Sequence, residues 1–325
     1  SPTKVSCEGA GLHEFPKELS QGVKYLELSN NFIQNLSGSY MPGFGQLEHL
    51  DVRFNQLEAV SDTTLAQLPG LRALLLGSNR LDRNYRANGV LDLSKNRVTS
   101  LPAGIFRSAP RLRQLDLSDN YIMEIEEGAF EALEELEVVS LALNSLHCIS
   151  GFSLTQLRVL NLSHNALETR RATAGLTRVA ALDLSNNHLR RFPFAFFHSL
   201  GSLHSLSLAG NCLQEVAGEA LAGGLFCSLL ESLDVRSNNL LALEGPASWS
   251  GSLKDVSIAG NPFGCCSLAW LDALRAAGVG VRDLDEAVCT HRDESRNFSA
   301  KIADSPRWLC PRPKDAGSLA LLVVV

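Results

Sequence analysis

The sequence lacks the motifs that mark most enzymes and nucleic-acid-binding proteins. Its 325 residues contain no glycine-rich phosphate loop, no metal-binding spacing of cysteine and histidine, and no sustained heptad. The eight histidines are scattered, so neither a Ser/His/Asp nor a Cys/His arrangement is indicated. The formal net charge of −6 argues against nucleic acid, which is bound by a basic face. These absences favour a non-enzymatic binding protein with no cofactor and no metal.

The sequence also has no signal peptide, which suits a mature secreted chain. Its last apolar run, residues 319–325, is too short to cross a bilayer, since a membrane-spanning helix needs about 20 residues. A polar stretch, residues 311–317, precedes that run. We interpret the run as the first turns of a transmembrane helix; a glycosylphosphatidylinositol signal and a plain disordered tail are the alternatives.

The pattern Leu-x-x-Leu-x-Leu-x-x-Asn, by contrast, recurs along most of the chain, most clearly in LRQLDLSDN at residues 112–120. This pattern with a period of 20–29 residues is typical of leucine-rich repeats. It predicts an α/β solenoid with a parallel concave β-sheet, in which each repeat is too small to bury its leucines alone. Each asparagine amide is expected to bond backbone groups that the turn leaves unpaired. The terminal asparagines are Asn31, Asn55, Asn79, Asn96, Asn120, Asn144, Asn165, Asn187, Asn211, Asn238 and Asn261.

Each repeat is predicted to supply one short strand, such as residues 115–117, whose central residue points onto the concave face because side chains alternate along a strand. Six of these eleven central residues are acidic, which suggests a calcium site or a surface for a basic ligand. The alternative is that aspartate is simply common at this position in the repeat class. The central residues are Glu27, Asp51, Leu75, Asp92, Asp116, Ser140, Asn161, Asp183, Ser207, Asp234 and Ser257. All except Asn161, which begins a glycosylation sequon, are candidate binding residues.

One repeat is irregular, because Asn79 and Asn96 are only 17 residues apart. The intervening segment, residues 81–89, is short and polar, and Asn88 stands where a leucine is expected. We expect a pinched or distorted turn here.

Four cysteines follow the last repeat, in a segment that begins NPFGCCSLAWL. This segment resembles the C-terminal cap of extracellular leucine-rich repeat proteins. In that family the first and third cysteines pair, as do the second and fourth, so the resemblance implies Cys265–Cys289 and Cys266–Cys310. Such disulfides place the chain in an oxidising compartment. A zinc site is the weaker alternative, because adjacent cysteines do not readily bind one tetrahedral metal.

The cap is expected to contain a short helix, residues 267–277, that covers the open end of the core with Trp270, Leu271 and Leu274. At the other end, Cys7 in KVSCEGAGLHEFP resembles the end of an N-terminal cap, and its expected partner lies before Ser1. The chain thus divides into a partial N-terminal cap (1–22), eleven repeats (23–261), a cysteine-rich cap (262–310) and a juxtamembrane tail with the start of a transmembrane segment (311–325). Glycosylation sequons begin at Asn35, Asn161 and Asn297.

Three cysteines lie inside the solenoid. Cys148 follows Asn144 by four residues and Cys212 directly follows Asn211, which places both just past a strand on the same side of the solenoid. They are three repeats apart, or roughly 15 Å at about 4.8 Å per strand. They cannot pair with each other, because a disulfide needs Cα atoms within about 7 Å. Position alone favours buried free thiols, since cysteine often behaves as a small core residue.

The segment NSLHCISGFSLTQLRVLNLSHNALE around Cys148 resembles the family of latent transforming growth factor β anchors represented by glycoprotein-A repetitions predominant. GNCLQEV around Cys212, KVSC and the C-terminal cap resemble it too. In that family two solenoid cysteines form disulfides to the prodomain of the growth factor. The resemblance implies this role for Cys148 and Cys212, with the latent prodomain dimer as partner and an integrin acting on the complex. Family members have more repeats between these cysteines, so the chain is identified as a shortened or divergent member.

The resemblance therefore predicts a glycoprotein of the extracellular face of the plasma membrane, which anchors the latent growth factor and regulates its activation. The alternative is an immune recognition ectodomain that resembles toll-like receptors or variable lymphocyte receptors and binds its ligand non-covalently on the concave face. An enzyme is disfavoured, because a solenoid offers no enclosed pocket. The third solenoid cysteine, Cys227 in LFCSLLESL, is predicted to pack in the core.

Overall fold

The computed structural model describes residues 3–20, 22–36, 43–81, 89–148, 154–168, 176–191, 200–216, 229–243, 252–292 and 297–304. Over these residues the chain forms a solenoid of stacked repeats, and the predicted leucine-rich repeat horseshoe is confirmed. The predictions for Cys227, for Cys310 and for residues 311–325 fall outside the described residues. In the described part, no helix is both long and apolar enough to cross a membrane.

A parallel sheet of thirteen strands runs through the described repeats, and each strand pairs with that of the next repeat. The strands are β1 (Lys4–Ser6), β2 (Tyr25–Glu27), β4 (His49–Asp51), β6 (Ala73–Leu75), β7 (Gly89–Asp92), β9 (Leu112–Asp116), β11 (Val138–Ser140), β12 (Val159–Asn161), β13 (Ala181–Asp183), β14 (Ser205–Ser207), β15 (Ser232–Asp234), β16 (Asp255–Ser257) and β18 (Gly280–Val281).

Shorter elements complete the described turns. Two parallel pairs follow the asparagine turns, β3 (Asn35–Leu36) with β5 (Ala59–Val60) and β8 (Ser100–Leu101) with β10 (Glu124–Ile125). A five-residue helix, α1 (Asp62–Ala66), leads into the third repeat; the Ser61 side chain accepts a hydrogen bond from the Thr64 N–H and so caps its first turn.

The leucine pattern forms a continuous core because the strands stack without a shift between most repeats. Leu115 aligns with Leu91 on one side and with Val139 on the other, and all three side chains are buried. Strand β9 ends at Asp116, one residue before the predicted end, because Leu117 already begins the turn. The rings of Phe106 and Phe130 stack at 5.9 Å behind these leucines.

The repeat asparagines bind each turn to the turn before it. In the fifth repeat, the Asn120 amide nitrogen donates to the carbonyl of Leu93 in the preceding repeat (2.9 Å) and to that of Leu117 in its own (3.0 Å). The amide oxygen accepts the Val98 N–H of the preceding repeat at 3.0 Å. All eleven asparagines make the equivalent bonds to the preceding turn. These bonds satisfy backbone groups that would otherwise be buried without a partner.

The residue before each asparagine adopts the left-handed backbone conformation. Nine such residues in the described chain are not glycine, and the ninth and eleventh repeats use Gly210 and Gly260 at this position. Phe54 (φ 53°) and Leu143 (φ 55°) are the bulky apolar members of this set. Left-handed backbone costs an L-residue about 1–2 kcal/mol. Phe54 and Leu143 therefore adopt a backbone conformation that is unfavourable for residues of their type.

The short repeat is accommodated by a bulge at Gly89. The register between β7 and β9 shifts between Gly89 and Val90, and Gly89 has φ +85°. A β-carbon at Gly89 would lie 2.4 Å from the carbonyl oxygen of Arg72, so no other residue fits without moving the backbone. The distorted turn expected from the 17-residue spacing falls mainly on residues 82–88, which lie outside the described residues.

The N-terminal segment adds a turn to the solenoid that the repeat pattern does not reveal. β1 extends the sheet beyond β2, and Cys7 is half-buried against the core at a position equivalent to a repeat leucine. The Cys7 carbonyl accepts the first bond of the asparagine series, from the Asn31 amide at 2.9 Å.

The C-terminal cap contains the predicted disulfide and helix. Cys265 and Cys289 are bonded, with Cα atoms 4.9 Å apart. Helix α2 (Ala269–Ala276) buries Trp270, Leu271 and Leu274 over the end of the core, as predicted. The cap sheet consists of β17 (Phe263–Gly264), β19 (Val288–Arg292) and β20 (Asn297–Lys301), followed by a 3₁₀ turn, Ile302–Asp304.

We predict that Asn120→Ala lowers the free energy of unfolding by about 2–4 kcal/mol, because it leaves a buried N–H and buried carbonyl groups unpaired. Urea denaturation followed by circular dichroism measures the change. Asn239→Ala is the matched control, since Asn239 is exposed and directly follows a repeat asparagine. Equal losses in the two variants would contradict the assigned role of Asn120.

Candidate functional site

Cys148 and Cys212 are exposed at the surface of the solenoid. Neither forms a disulfide within the part of the chain that the structure describes. The expectation from position alone, that these thiols are buried core residues, is therefore wrong. The repeat pattern places both residues after a strand, but their exposure follows from the direction in which the turn carries each side chain.

Each cysteine follows the asparagine turn of its repeat, and that both lie on one side of the solenoid stays a prediction. The Cys212 N–H donates to the Leu189 carbonyl at 2.9 Å, and the equivalent residue of the sixth repeat, Ser145, donates to Ile122 in the same way. Cys148 lies three residues beyond Ser145. Three strand steps, from β11 to β14, separate the two repeats, which amounts to about 14 Å. The two thiols are therefore too far apart to bond each other, since a disulfide needs Cα atoms within about 7 Å.

The acidic residues of the concave face are engaged in hydrogen bonds within their own turns. A carboxylate oxygen of the central aspartate accepts the backbone N–H two residues further on, for example from Ser118 to Asp116 at 2.9 Å. The amide oxygen of Asn161 does the same with Ser163. This geometry supports the structural interpretation of the concave acids over a ligand-binding one. The other aspartates that accept this bond are Asp51, Asp92, Asp183 and Asp234.

Arginine neutralises two of these carboxylates. Arg53 binds both oxygens of Asp51, with a shortest distance of 2.7 Å, and Arg236 binds Asp234 in the same bidentate manner. Each carboxylate raises the pKa of its arginine through these hydrogen bonds. Asp51 is buried beneath its arginine, contrary to the expectation that it is displayed on the concave face.

Glu27, at the N-terminal end of the concave face, is also paired. The Lys4 ammonium lies 2.8 Å from the Glu27 carboxylate and lowers its pKa, chiefly by hydrogen bonding. Similar contacts join Lys24 to Glu48 and Lys254 to Glu231 across neighbouring repeats. In the described residues, no group of three or more histidine, cysteine or acidic side chains could hold a metal ion. The remaining central candidates, Leu75, Ser140, Ser207 and Ser257, are partly exposed on their strands.

The asparagine of each of the three sequons lies in a strand. Asn35 is exposed in β3, Asn161 is partly exposed in β12, and Asn297 begins β20. Their glycosylation remains a prediction.

Cys266 is disulfide-bonded, whereas its predicted partner Cys310 lies outside the described residues, so that pairing also remains a prediction.

Sequence reasoning missed three exposed apolar side chains in the fifth and sixth repeats. Tyr121, Met123 and Leu143 expose 63%, 61% and 50% of their surface. The Ser145 N–H donates to Ile122, which brings the turn that carries Leu143 beside the turn that carries Tyr121. The signal was present in the repeat alignment, because apolar residues stand where most repeats have polar ones before and after the asparagine. Exposed apolar groups of this kind mark interaction sites.

The fold and the repeat geometry together define the class of the protein. The leucine rich repeat family model matches residues 21–81, 90–146 and 177–240, more than half of the chain. The chain therefore belongs to the leucine-rich repeat family.

Three curated relatives indicate the branches of the family to which the chain is similar. It is 28% identical to Tsukushi of Gallus gallus over 65% of its length, 35% identical to transforming growth factor beta activator LRRC32 of Mus musculus over 65%, and 29% identical to transforming growth factor beta activator LRRC33 of Danio rerio over 82%. The matches cover 54%, 37% and 42% of those proteins. The chain thus spans about half the length, or less, of these relatives.

Solved structures with similar folds include an internalin of Listeria monocytogenes, with a TM-score of 0.66 at 18% identity over 84% of this chain and 76% of that one. The TLR13–ssRNA13 complex gives a TM-score of 0.60 at 20% identity over 89% of this chain and 50% of that one. At these identities the similarity concerns the fold alone.

We predict that Cys148 and Cys212 react with N-ethylmaleimide in the native, unreduced protein, whereas Cys265 and Cys289 react only after reduction in denaturant. The difference follows from the exposure of the first pair and the burial of the bonded pair. Peptide mass spectrometry of the alkylated protein measures it. An unmodified Cys148 peptide from protein expressed alone would contradict the assigned exposure.

Proposed function

We propose that this chain is a non-enzymatic binding protein of the extracellular face of the plasma membrane, which anchors latent transforming growth factor β and regulates its activation. The solenoid docks the prodomain dimer, and Cys148 and Cys212 form mixed disulfides with prodomain cysteines during secretion. An integrin that pulls on the anchored complex would release the growth factor. Residues 311–325, with their apolar end, would begin the membrane attachment.

The observation that carries this proposal is the presence of two exposed cysteines that form no disulfide within the described residues. A secreted chain that already forms a buried cap disulfide is exposed to oxidants, so unpaired surface cysteines point to an intermolecular bond. The similarity to two proteins named as transforming growth factor beta activators supports the choice of partner.

The environment of the concave face favours this proposal over non-covalent immune recognition on that face. The acidic row is engaged in turn hydrogen bonds and arginine pairs, and the middle of the face carries small side chains such as Ala73, Val90 and Ala181. Large aromatic anchors, which dominate most binding hot spots, are absent from these central strands β6 to β13 of the described sheet.

We predict that co-expression of the chain with latent transforming growth factor β yields a high-mass band on a non-reducing gel, which reduction removes. Cys148→Ser/Cys212→Ser abolishes the band, and each single variant leaves a partly linked species. Cys7→Ser is the matched control, because Cys7 is half-buried at the far end of the solenoid. Persistence of the band in the double variant would contradict the covalent assignment.

The same samples separate the two functions. Co-immunoprecipitation under native conditions reports docking without the disulfides. If binding survives the double cysteine variant but is lost in Leu75→Asp or Ser140→Asp, the concave face recognises the ligand and the immune recognition function is favoured.

A further inference from the structure

Two exposed apolar pairs lie where the chain turns around the repeat asparagines. We call the row of residues that directly precede and follow these asparagines the turn edge. Phe32 and Phe54 form the first pair and Tyr121 and Leu143 the second, and all four side chains are 47–63% exposed. In each pair one residue follows the asparagine of one repeat and the other precedes the asparagine of the next, so the two residues lie in adjacent stacked turns.

Phe32 stacks on the His13 ring, with centroids 5.2 Å apart, whereas the fold does not require the other three side chains. Phe54 and Leu143 stand at the left-handed position, where the equivalent residues of two other repeats are Gly210 and Gly260. Bulky residues are uncommon at positive φ, and such strain tends to persist at functional sites. Because these two side chains are exposed, they contribute little to the stability of the core. Their presence is better explained by binding at the surface than by packing.

Three cations occupy the turn edge between the apolar pairs. The backbone N–H groups of Arg80, Arg97 and Tyr121 donate to successive earlier turns, which places these residues in one row. Lys95 precedes Asn96 and is exposed beside them. Arg80 lies 4.0 Å from Glu58, at the limit of an ion pair. Within the described chain, Lys95 and Arg97 form no ion pair, although the protein carries a net charge of −6.

We propose that the turn edge between Phe54 and Tyr121 binds an extended acidic segment of a partner protein that has an apolar residue at each end. The cations complement the acidic residues, and the two apolar pairs receive the apolar ends. The apolar pairs favour a protein over a sulfated polysaccharide, which has no apolar groups to bury against them. This site needs neither Cys148 nor Cys212 and is independent of the proposed disulfide linkage.

The position of Asp119 determines where the acidic residues of the partner segment bind. Asp119 is exposed at the turn edge between Lys95 and Leu143. Its charge repels acidic groups near the second apolar pair, so the acidic residues of the partner lie opposite Arg80, Lys95 and Arg97. The two apolar pairs are four repeats apart, or about 19 Å at about 4.8 Å per strand. An extended segment at about 3.3 Å per residue spans this distance with about five residues between its apolar ends.

Fluorescence anisotropy with labelled peptides tests this site. The probe has leucine and phenylalanine at its ends and Gly-Asp-Glu-Asp-Gly between them. One comparison peptide has a two-residue spacer, and another has lysine in place of each acidic residue. We expect the probe to bind most tightly, and its affinity to fall as the salt concentration is raised.

Two double variants with equal charge change locate the contact. Lys95→Ala/Arg97→Ala is expected to weaken probe binding by about fivefold or more. Arg107→Ala/Arg111→Ala, which removes two exposed arginines away from the turn edge, is expected to leave it unchanged. Leu143→Gly is expected to weaken binding without lowering the thermal midpoint, because glycine relieves the left-handed backbone.

Three results would overturn the proposal. The first is equal binding of all three peptides, or no binding of any. The second is an equal loss in the two double variants, which would show only a general charge effect. The third is tight binding of a heparin-type oligosaccharide that the probe does not displace, which would assign the cations to a glycan.

Discussion

The asparagine bonds between neighbouring turns are the constraint on which the rest of this structure depends. Each buried amide joins two turns, and nothing smaller or apolar could pair the same N–H and carbonyl groups. The bonds fix how far apart successive turns lie and oblige the residue before the asparagine to take left-handed backbone. Residues on either side of the asparagine therefore occupy defined surface positions in every repeat, whatever their side chains.

This arrangement separates the parts of the surface that serve the fold from those that are free to bind. Concave carboxylates hold the turns that follow the strands, and arginine or lysine neutralises several of them. The side chains next to the asparagines take part in fewer hydrogen bonds and ion pairs of this kind. The exposed cysteines follow the asparagines, and the apolar pairs and the cations Lys95 and Arg97 adjoin them, at positions where a change of side chain leaves the hydrogen bonds between turns intact.

The residue patterns predicted the structural features that recur in every repeat, but they missed the features that depend on a single contact. The leucine spacing predicted the buried rows, and Trp270, Leu271 and Leu274 predicted the cap helix. The exposure of Cys148 depends on the path of a turn, and the burial of Asp51 depends on one arginine two residues away. The repeat spacing predicts neither feature. Asp283 was likewise missed: its carboxylate accepts the N–H groups of Ile258 and Ala259, which no further repeat is present to bond.

The direction of the asparagine bonds has a consequence for how the chain is made. Every amide reaches back to the turn before it, and the first one reaches the Cys7 carbonyl. A newly synthesised repeat can therefore complete its asparagine bonds as soon as it leaves the ribosome, without waiting for residues still to be translated. Each turn is added to the finished surface of the turn before it, and the Asp283 carboxylate accepts the last free N–H groups at the cap. The solenoid is thus suited to vectorial folding, from its N-terminal repeats towards its C-terminal cap.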